Sequence, residues 1–598
     1  VILIFLLEFA LRLTNCGVDT STWIKVSNTH YGLNPKVAFR YFSSLENVPQ
    51  SIQEVVSIKK ESQSFRIFVL GGSSAAGYPY LPLGSFSRYI RQRLEHNYPE
   101  WSIEVVNLSL TAVNSYTVRD FTNDIIEQQP DLILIYAGHN EYYGALGIGS
   151  LESIGQSRSL TKLIIALNKF RITQLTRDIV KYLFSLISGD ETQKSGTLMA
   201  RMAEDQKIEF DSDKYIQGIE QFENNMREVV ELAQKNEIPI ILSTLVSNYK
   251  DQEPFISNEN VTDKNARLIY NQAKVKLSSG NTIEANSLFR IAKDYDQLRF
   301  RAPEKINLII NQLGDEFAIP IVQADSILSQ KSPSGIIGDE LMIDHLHLNL
   351  RGYQDLGELF YTTMKEHNLI PSDNPVFSFD EQDSVTRKSF FFSELDSTIA
   401  DFKIKLLKND WPFTIHQKSQ NIKSIIKLTS FIDTIAYKFV NGDEEWEKSH
   451  RLVALKYFQN GEFEKGKYET DLLIHQYPLT VEYNRFLAEE LINRRRYDES
   501  VPYLERGNKL RSDDYFNKWL GIIDLSKGNV DTAIHFLEQS LNYNRKDAQV
   551  LYNLSGAYSK KKNYDEAIEL INECLSLSPN YKAAIYLKNQ LESINLSK

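Results

Sequence analysis

A serine in a glycine-rich turn is the residue of this sequence best suited to covalent chemistry. The run FRIFVLGGSSAAGY, residues 65–78, ends an apolar stretch with two glycines and then presents two serines. Aromatic and β-branched residues bounded by glycine predict a buried strand, and the small residues beyond it let backbone N–H groups surround one hydroxyl. A serine hydroxyl becomes a nucleophile when a histidine accepts its proton and a carboxylate orients that histidine. We therefore expect such partners elsewhere in the chain.

Candidate partners follow other predicted strands. Asn140 stands in the motif Gly-His-Asn-Glu after one apolar run, and Asp344 and His347 stand three residues apart before a later helix. In a parallel α/β sheet the carboxyl ends of the strands meet at one edge, so loops that are distant in sequence converge there. The order and placement of these residues predict one site at that edge.

Each residue also has a simpler interpretation. A serine in a glycine-rich turn is often part of a phosphate-binding loop, but residues 71–77 lack the lysine of a Walker motif. Asn140 could cap a loop. His345 and His347 could be surface histidines or metal ligands, although their loop offers too few ligands for a metal site. The triad chemistry requires no cofactor and no metal, and we predict neither.

The elements that must position these loops alternate between strands and helices. The predicted helices are 85–98, 116–129 and 350–367, and the predicted strands are 65–70, 103–107, 132–136, 239–244 and 319–324. This alternation predicts an α/β fold, with a parallel sheet covered by helices on both faces. Two helical insertions interrupt it, at about 151–214 and 262–312, and the second contains a hairpin that turns at 278–281.

Taken in order, these loops resemble the motifs of the SGNH, or GDSL-like, hydrolase family: G-D-S-x-x-x-G, an internal Gly, G-x-N-D and D-x-x-H. The resemblance implies a flavodoxin-like three-layer fold and an esterase of the serine type. It implies Ser73 as the nucleophile, with Asp344 and His347 completing the triad. It also implies an oxyanion site formed by the N–H groups of Ser73 and Ala112 and by the side chain of Asn140.

The sequence departs from the family pattern at three supporting positions. Gly72 stands in place of Asp, Ala112 in place of Gly, and Glu141 in place of Asp. Gly72 has no side chain to support the turn. Ala112 can present its N–H as glycine does if its φ is negative and its methyl group has room. Glu141 is expected to alter packing more than chemistry.

Two serines and two histidines compete for the catalytic roles. Alignment of the glycines favours Ser73 over Ser74. The D-x-x-H spacing favours His347 over His345. We therefore expect the neighbouring serine and histidine to have other functions.

A pair of arginines in the second insertion is a candidate for substrate binding. Arg299 and Arg301 are two residues apart and could bind an anionic group of the substrate with two parallel hydrogen bonds. The alternative is that they form salt bridges with acidic neighbours such as Asp294 and Asp296.

A repeat of about 34 residues occupies the C-terminal part of the chain. Val453, Leu487, Leu520 and Leu554 recur at spacings of 34, 33 and 34, and small residues recur in the second helix of each unit. This is the tetratricopeptide pattern, and it predicts four repeats and a capping helix that begins at Tyr581. Such an array predicts a protein partner.

Composition and the N-terminus bear on the environment of the protein. With 67 basic and 78 acidic residues the net charge is −11, which gives no general attraction for nucleic acid. Cys16 and Cys574 lie in different predicted domains, so no disulfide is expected.

Residues 1–13 are almost entirely apolar but shorter than the roughly 20 residues that span a bilayer. We expect the remnant of a membrane anchor or signal; the alternative is an amphipathic helix with Glu8 and Arg12 on its polar face.

The predicted domains are 1–20 for the anchor remnant, 21–64 for a linker, 65–370 for the hydrolase, 371–445 for a connector and 446–598 for the repeats. In the connector, Trp411 and Phe413 are expected to dock on a neighbouring domain. The predicted function is hydrolysis of acyl esters outside the cytoplasm by a membrane-anchored enzyme, with O-acylated carbohydrate as the first candidate substrate. Two alternatives remain open, which are a scaffold without catalysis and an O-acyltransferase to polysaccharide.

Overall fold

The computed structural model divides the protein into two units. The described residues are 2–42, 48–49, 51–150, 157–188, 199, 202–203, 207–414 and 422–596. The first unit is Val1–Asp443 and the second is Glu444–Lys598. All described strands lie in the first unit.

The stretch predicted to be a linker, residues 21–64, is folded in its described part. Three short antiparallel strands pair there, namely β1 (Trp23–Lys25), β2 (His30–Leu33) and β3 (Val55–Ser57). Arg40 is buried beside them and forms ion pairs with Asp120 at 2.5 Å and Asp124 at 2.7 Å. The linker prediction is wrong because strands this short show no periodicity, and because the carboxylates that bind Arg40 lie far along the chain.

A parallel sheet lies at the centre of the first unit. Within the described residues its strands are β4 (Ser64–Gly71), β5 (Ser102–Asn107), β6 (Leu132–Tyr136), β7 (Ile240–Ser243) and β8 (Ile321–Val322). They pair in the order β5-β4-β6-β7-β8, and every pair is parallel. This is the doubly wound order of flavodoxin-like sheets. The predicted parallel α/β architecture is confirmed.

The central strands are buried along their whole length. All residues of β4 and β6 are buried, as expected for apolar strands covered on both faces. The helices pack in two sets: Phe86–Asn97 contacts Leu350–Glu366, and Ser115–Ile125 contacts Asp213–Lys235. The helix Ala324–Lys331 follows β8. These layers fix the strand ends that carry the predicted site.

The insertions are mainly helical where the structure describes them. The first contains Arg158–Leu167 and Arg171–Ser188, and the rest of it lies largely outside the described residues. The second contains the predicted hairpin, formed by Ala266–Ser278 and Thr282–Tyr295, and the helix Glu304–Phe317 follows.

The predicted connector belongs to the first unit and is largely helical. Its helices are Phe379–Lys388, Glu394–Lys408, Ile422–Ile425 and Phe431–Val440. The ring of Trp411 lies 5.9 Å from that of Phe300, and the ring of Phe413 lies 5.3 Å from that of Phe255. These two residues therefore dock on the α/β part of the unit, as the sequence predicted.

Residues 446–596 of the second unit, all of them described, form four helical hairpins and a last helix. The helices are Trp446–Gln459, Phe463–Gln476, Val481–Asn493, Tyr497–Leu510, Asp514–Lys527, Val530–Tyr543, Ala548–Lys560, Tyr564–Leu577 and Lys582–Leu596. The recurring apolar residues of the first helices are buried, and so are the small residues of the second helices. At Gly466 a Cβ would lie 2.9 Å from the Phe458 ring, so close helix packing requires the small residue.

Candidate active site

Ser73 is the first residue of a short helix, Ser73–Ala76, that begins where β4 ends. Gly77 closes this turn with a φ of +94°, a left-handed conformation that glycine adopts without strain. A Cβ at Gly77 would also lie 2.6 Å from Cβ of Ser85. As the first residue of the helix, Ser73 has no intrahelical acceptor for its N–H, which can therefore bind an oxyanion.

The structure brings the three predicted triad residues into one hydrogen-bonded chain. Ser73 Oγ lies 2.8 Å from His347 Nε2, and His347 Nδ1 lies 2.7 Å from Asp344 Oδ2. When Nδ1 donates to the carboxylate, Nε2 carries the lone pair that can accept the serine proton. This geometry is that of a general base poised on a serine nucleophile.

Asp344 is buried but remains ionised. Its Oδ1 accepts the N–H groups of Leu346 at 2.9 Å and His347 at 2.8 Å. Burial alone would raise the pKa of this carboxyl, but the charges of His347 and His345 and their hydrogen bonds hold its pKa well below the usual range. Asp344 can therefore orient the imidazole and stabilise the imidazolium.

Neither the competing serine nor the competing histidine takes part in the Ser73–His347 hydrogen bond, although His345 Nδ1 lies 3.4 Å from Asp344 Oδ1. Ser74 Oγ donates to the Leu346 carbonyl at 3.5 Å. His345 is buried with its ring 5.4 Å from the Phe255 ring, and burial lowers its pKa. In the described part of the chain, no group of three or more His, Cys, Asp or Glu residues is arranged to hold a metal ion. The geometry thus agrees with the choice of Ser73 and His347.

Asn140 and Ala112 lie beside Ser73, on the lining of the same cavity. A Cβ at Gly72 would lie 2.8 Å from Asn140 Nδ2, so the amide sits directly against the serine turn and a side chain at position 72 would displace it. Ala112 has a φ of +54°, so the condition of a negative φ is not met, and the residue instead adopts the left-handed conformation that glycine adopts without strain. This left-handed conformation costs a non-glycine residue about 1–2 kcal/mol. The Ala145 N–H donates to the Ala112 carbonyl at 2.8 Å and helps to hold it.

The serine turn is supported by Asn107, a role that the sequence did not reveal. Asn107 Nδ2 donates to the Ala75 carbonyl and to Ser87 Oγ, both at 2.9 Å. The hydroxyl of Tyr353 donates to the Tyr78 carbonyl at 2.8 Å. These bonds brace the turn from β5 and from a distant helix, so the turn does not need a side chain at Gly72. The sequence offered one signal for this role, which is a polar asparagine at the end of a strand predicted to be buried.

Arg299 and Arg301 are not placed to bind a substrate. Arg299 Nε donates to the Ile208 carbonyl at 3.0 Å, and its guanidinium lies over the Tyr215 ring. Arg301 donates to the Asn248 carbonyl at 3.0 Å and pairs with Asp296 at 3.2 Å. Both are buried and neither lines the cavity. The substrate-binding prediction is wrong, because their partners are carbonyl groups and an acidic neighbour that hold the insertion together.

Glu141, next to the oxyanion candidate Asn140, is buried without a basic partner in the described part of the chain. Its carboxylate accepts Ser115 Oγ at 2.7 Å, Ser115 N at 3.2 Å and the side-chain amide of Gln221. Burial raises its pKa to about 7, although these hydrogen bonds oppose the rise. Glu141 therefore holds the Asn140 loop in place. In the folded chain its carboxyl keeps a proton that it would release at a lower pH in the unfolded chain.

A family model for the tetratricopeptide repeat matches residues 524–591. This range covers part of the third hairpin, the whole of the fourth and part of the final helix. The second unit contains tetratricopeptide repeats. The 34-residue period and the paired helices of residues 446–596 extend these repeats over the whole unit.

Solved structures resemble separate parts of the chain. The MamA protein is 17% identical over 25% of this chain and 86% of its own, with a TM-score of 0.23. YrrB, a tetratricopeptide repeat protein with an unusual peptide-binding site, is 14% identical over 32% of this chain and 92% of its own, with a TM-score of 0.24.

A mutant of Axe2, an acetyl-xylooligosaccharide esterase from Geobacillus Stearmophilus, is 15% identical over 51% of this chain and 94% of its own, with a TM-score of 0.27. No curated protein matches the chain. The chemistry of the first unit is therefore inferred from its own geometry.

The raised pKa of Glu141 predicts a pH-dependent stability. The folded state holds this proton up to about pH 7, whereas the unfolded state releases it near pH 4.5, so the contribution of Glu141 to stability is lost as the pH rises between these values. Relative to Glu141→Gln, the wild-type unfolding free energy is expected to fall by about 2–3 kcal/mol from pH 5 to pH 8. Denaturant unfolding of both proteins measures it. The exposed Glu220→Gln is the control, and parallel pH curves for Glu141→Gln and wild type would contradict the assignment.

Proposed function

We propose that the first unit is a serine esterase of the SGNH type. The observation that supports this most strongly is the hydrogen-bonded chain from Ser73 Oγ through His347 to Asp344. Two further observations agree with it: the Asn140 amide lies against the serine turn, and a cavity opens beside the serine. We assign these groups at one edge of the sheet as the nucleophile, the base, the orienting carboxylate and an oxyanion donor, with the cavity as the space for the substrate.

In the proposed reaction Ser73 Oγ attacks the carbonyl carbon of the ester, and its proton passes to His347 Nε2. The ester C–O bond breaks, and the same proton moves from His347 to the oxygen of the leaving alcohol. Water then attacks the acyl-serine while His347 Nε2 takes a proton from it. The bond between the acyl carbon and Ser73 Oγ breaks, the proton passes from His347 to Ser73 Oγ, and the acid is released. Asp344 stays ionised and stabilises the imidazolium in both steps.

The oxyanion is proposed to bind the N–H of Ser73, the N–H of Ala112 and Asn140 Nδ2. Each donor that is held in place before the reaction stabilises the transition state by about 2.7–4 kcal/mol, because the site does not have to reorganise as charge develops on the oxygen. The buried hydrogen bonds around Asn107 and Glu141 serve this purpose, since they hold the loops that carry the donors.

The alcohol part of the substrate is proposed to be a carbohydrate, on the basis of the family resemblance. A sugar hydroxyl in place of water would turn the same acyl-serine chemistry into an O-acyl transfer. We propose hydrolysis as the reaction, because it requires no second binding site beyond the residues named above.

The repeat unit is proposed to bind a protein partner. Tetratricopeptide arrays stack helical hairpins into a continuous surface, and each hairpin contacts mainly its neighbours. The extended surface that results suits a peptide or protein ligand better than a small molecule.

We propose that the protein is tethered to a membrane on the extracytoplasmic side through its N-terminal helix, Ile2–Leu13. Phe5 and Phe9 of this helix are 67% and 61% exposed, and Leu163 and Ile179 on the helices of the first insertion are 54% and 49% exposed. Glu8 is turned towards the body, where it accepts the Ile172 N–H at 2.9 Å. Glu8 thus faces the protein, while Phe5 and Phe9 face outwards beside the half-exposed Arg12. This arrangement suits a lipid surface. None of the described helices is long and apolar enough to cross a bilayer.

Hydrolysis of p-nitrophenyl esters tests the assignment of the nucleophile. Ser73→Ala is expected to lower kcat/KM by roughly 10⁴-fold or more, because no other hydroxyl contacts His347 Nε2 in the described part of the chain. Ser74→Ala is the matched control and is expected to retain activity within about fivefold. Equal loss in both variants would contradict the assignment, and a folded wild type without activity would favour the scaffold.

Flotation with vesicles of phosphatidylcholine and phosphatidylglycerol tests the membrane proposal. The wild type is expected to float, and the double variant Phe9→Glu and Leu163→Glu to lose at least about 80% of the floating fraction, because each charge in the interface opposes burial. Leu428→Glu, exposed elsewhere in the first unit, is the control and should float. Failure of the wild type to float, or equal flotation of the double variant, would overturn the proposal.

A further inference from the structure

The cavity beside Ser73 is larger than the triad chemistry itself requires. It encloses about 350 Å³, and Ser73, Asn140 and His347 form one part of its lining. An acetyl group would occupy a small fraction of this space. The remaining lining therefore indicates which kind of acyl group the site accepts.

Apolar side chains form most of that remaining lining, and many come from outside the α/β core. Met199 and Met202 belong to the first insertion. Leu406 and Leu407 lie on the helix Glu394–Lys408, and Val440 ends the helix Phe431–Val440. Methionine and leucine side chains adapt to a flexible chain and offer it no hydrogen bonds.

The lining residues Leu406, Leu407 and Val440, which we call the apolar wall, belong to a segment that is fixed to the catalytic edge of the sheet. Phe413 packs on Phe255 and on His345, with ring centroids 5.3 Å and 5.5 Å apart, and Trp411 packs on Phe300 at 5.9 Å. Phe300 itself lines the cavity. The segment that follows the α/β core is thus anchored around the cavity, and its helices present apolar residues to it.

The charge of the lining also limits which acyl groups the cavity can bind. Lys403 lines the cavity, with its amine 5.1 Å from the Phe439 ring, and no Asp or Glu is found among the described residues that line it. Its methylene groups add to the apolar wall. A neutral or anionic acyl group fits this lining, and a cationic group does not.

We propose that this cavity binds an aliphatic acyl chain longer than acetyl, so that the substrate is the ester of a fatty or other extended apolar acid. The proposal rests on the esterase function inferred above and specifies the acyl side of its substrate. Each additional methylene group that is buried in such a pocket is expected to raise kcat/KM about fourfold. An enzyme specific for acetyl groups would gain nothing from the apolar wall.

A chain-length series tests this directly. For p-nitrophenyl acetate, butyrate and octanoate, kcat/KM of the full chain is expected to rise along the series, with octanoate at least about 100-fold above acetate. Leu406→Trp, at a half-buried position of the wall, is expected to fill the cavity and lower the ratio of octanoate to acetate kcat/KM at least tenfold. Lys408→Trp, exposed on the same helix, is the control and should leave both unchanged.

The outcomes separate this proposal from the esterase assignment. If no ester is hydrolysed, the esterase function itself fails. If acetate is hydrolysed as well as or better than octanoate, or if Leu406→Trp slows all three esters equally, the esterase stands and the acyl pocket is overturned. Val440→Phe provides a second filling variant at another half-buried position, in case Leu406→Trp does not fold.

Discussion

The hydrogen bond from Ser73 Oγ to His347 Nε2 joins two loops that are 274 residues apart in the chain. A misplacement of about 1 Å between nucleophile and base costs much of the rate, so the loops need a rigid support. The parallel sheet provides it at one edge, where the end of β4 meets the loop that follows β8 and the helix Ala324–Lys331. Asn248, which follows β7, fixes the histidine loop through the carbonyls of Asp344 and His345.

The sequence predicted the parts of this arrangement that depend on local pattern. Runs of apolar residues located the sheet strands to within about two residues at each end, with β6 found at the predicted bounds, because buried parallel strands are apolar along their length. The small residues of the repeats predicted the helical hairpins. Ser73, Asp344 and His347 were found because motif order and strand ends together define one edge, and the structure brings these three into hydrogen-bonding contact.

What the sequence did not predict depends on contacts between distant residues. Arg299 looked free to bind an anion, but its partners are carbonyl groups that no pattern marks. Asn107 braces the serine turn through bonds that only the packed sheet creates. Ala112 adopts a left-handed φ that its side chain does not favour. The helix Glu394–Lys408 gave no sign of lying at the cavity, since its apolar residues would suit any core equally well.

Labelling with a fluorophosphonate tests the activation of Ser73 by His347 most directly, because the probe reacts with an activated serine regardless of the natural substrate. The wild type is expected to carry one adduct, located on Ser73 by peptide mass spectrometry. His347→Ala and Asp344→Asn are expected to slow labelling by at least about 100-fold, with Ser74 unlabelled throughout. An adduct elsewhere, no adduct on folded wild type, or a labelling rate that does not depend on His347 would contradict the catalytic interpretation.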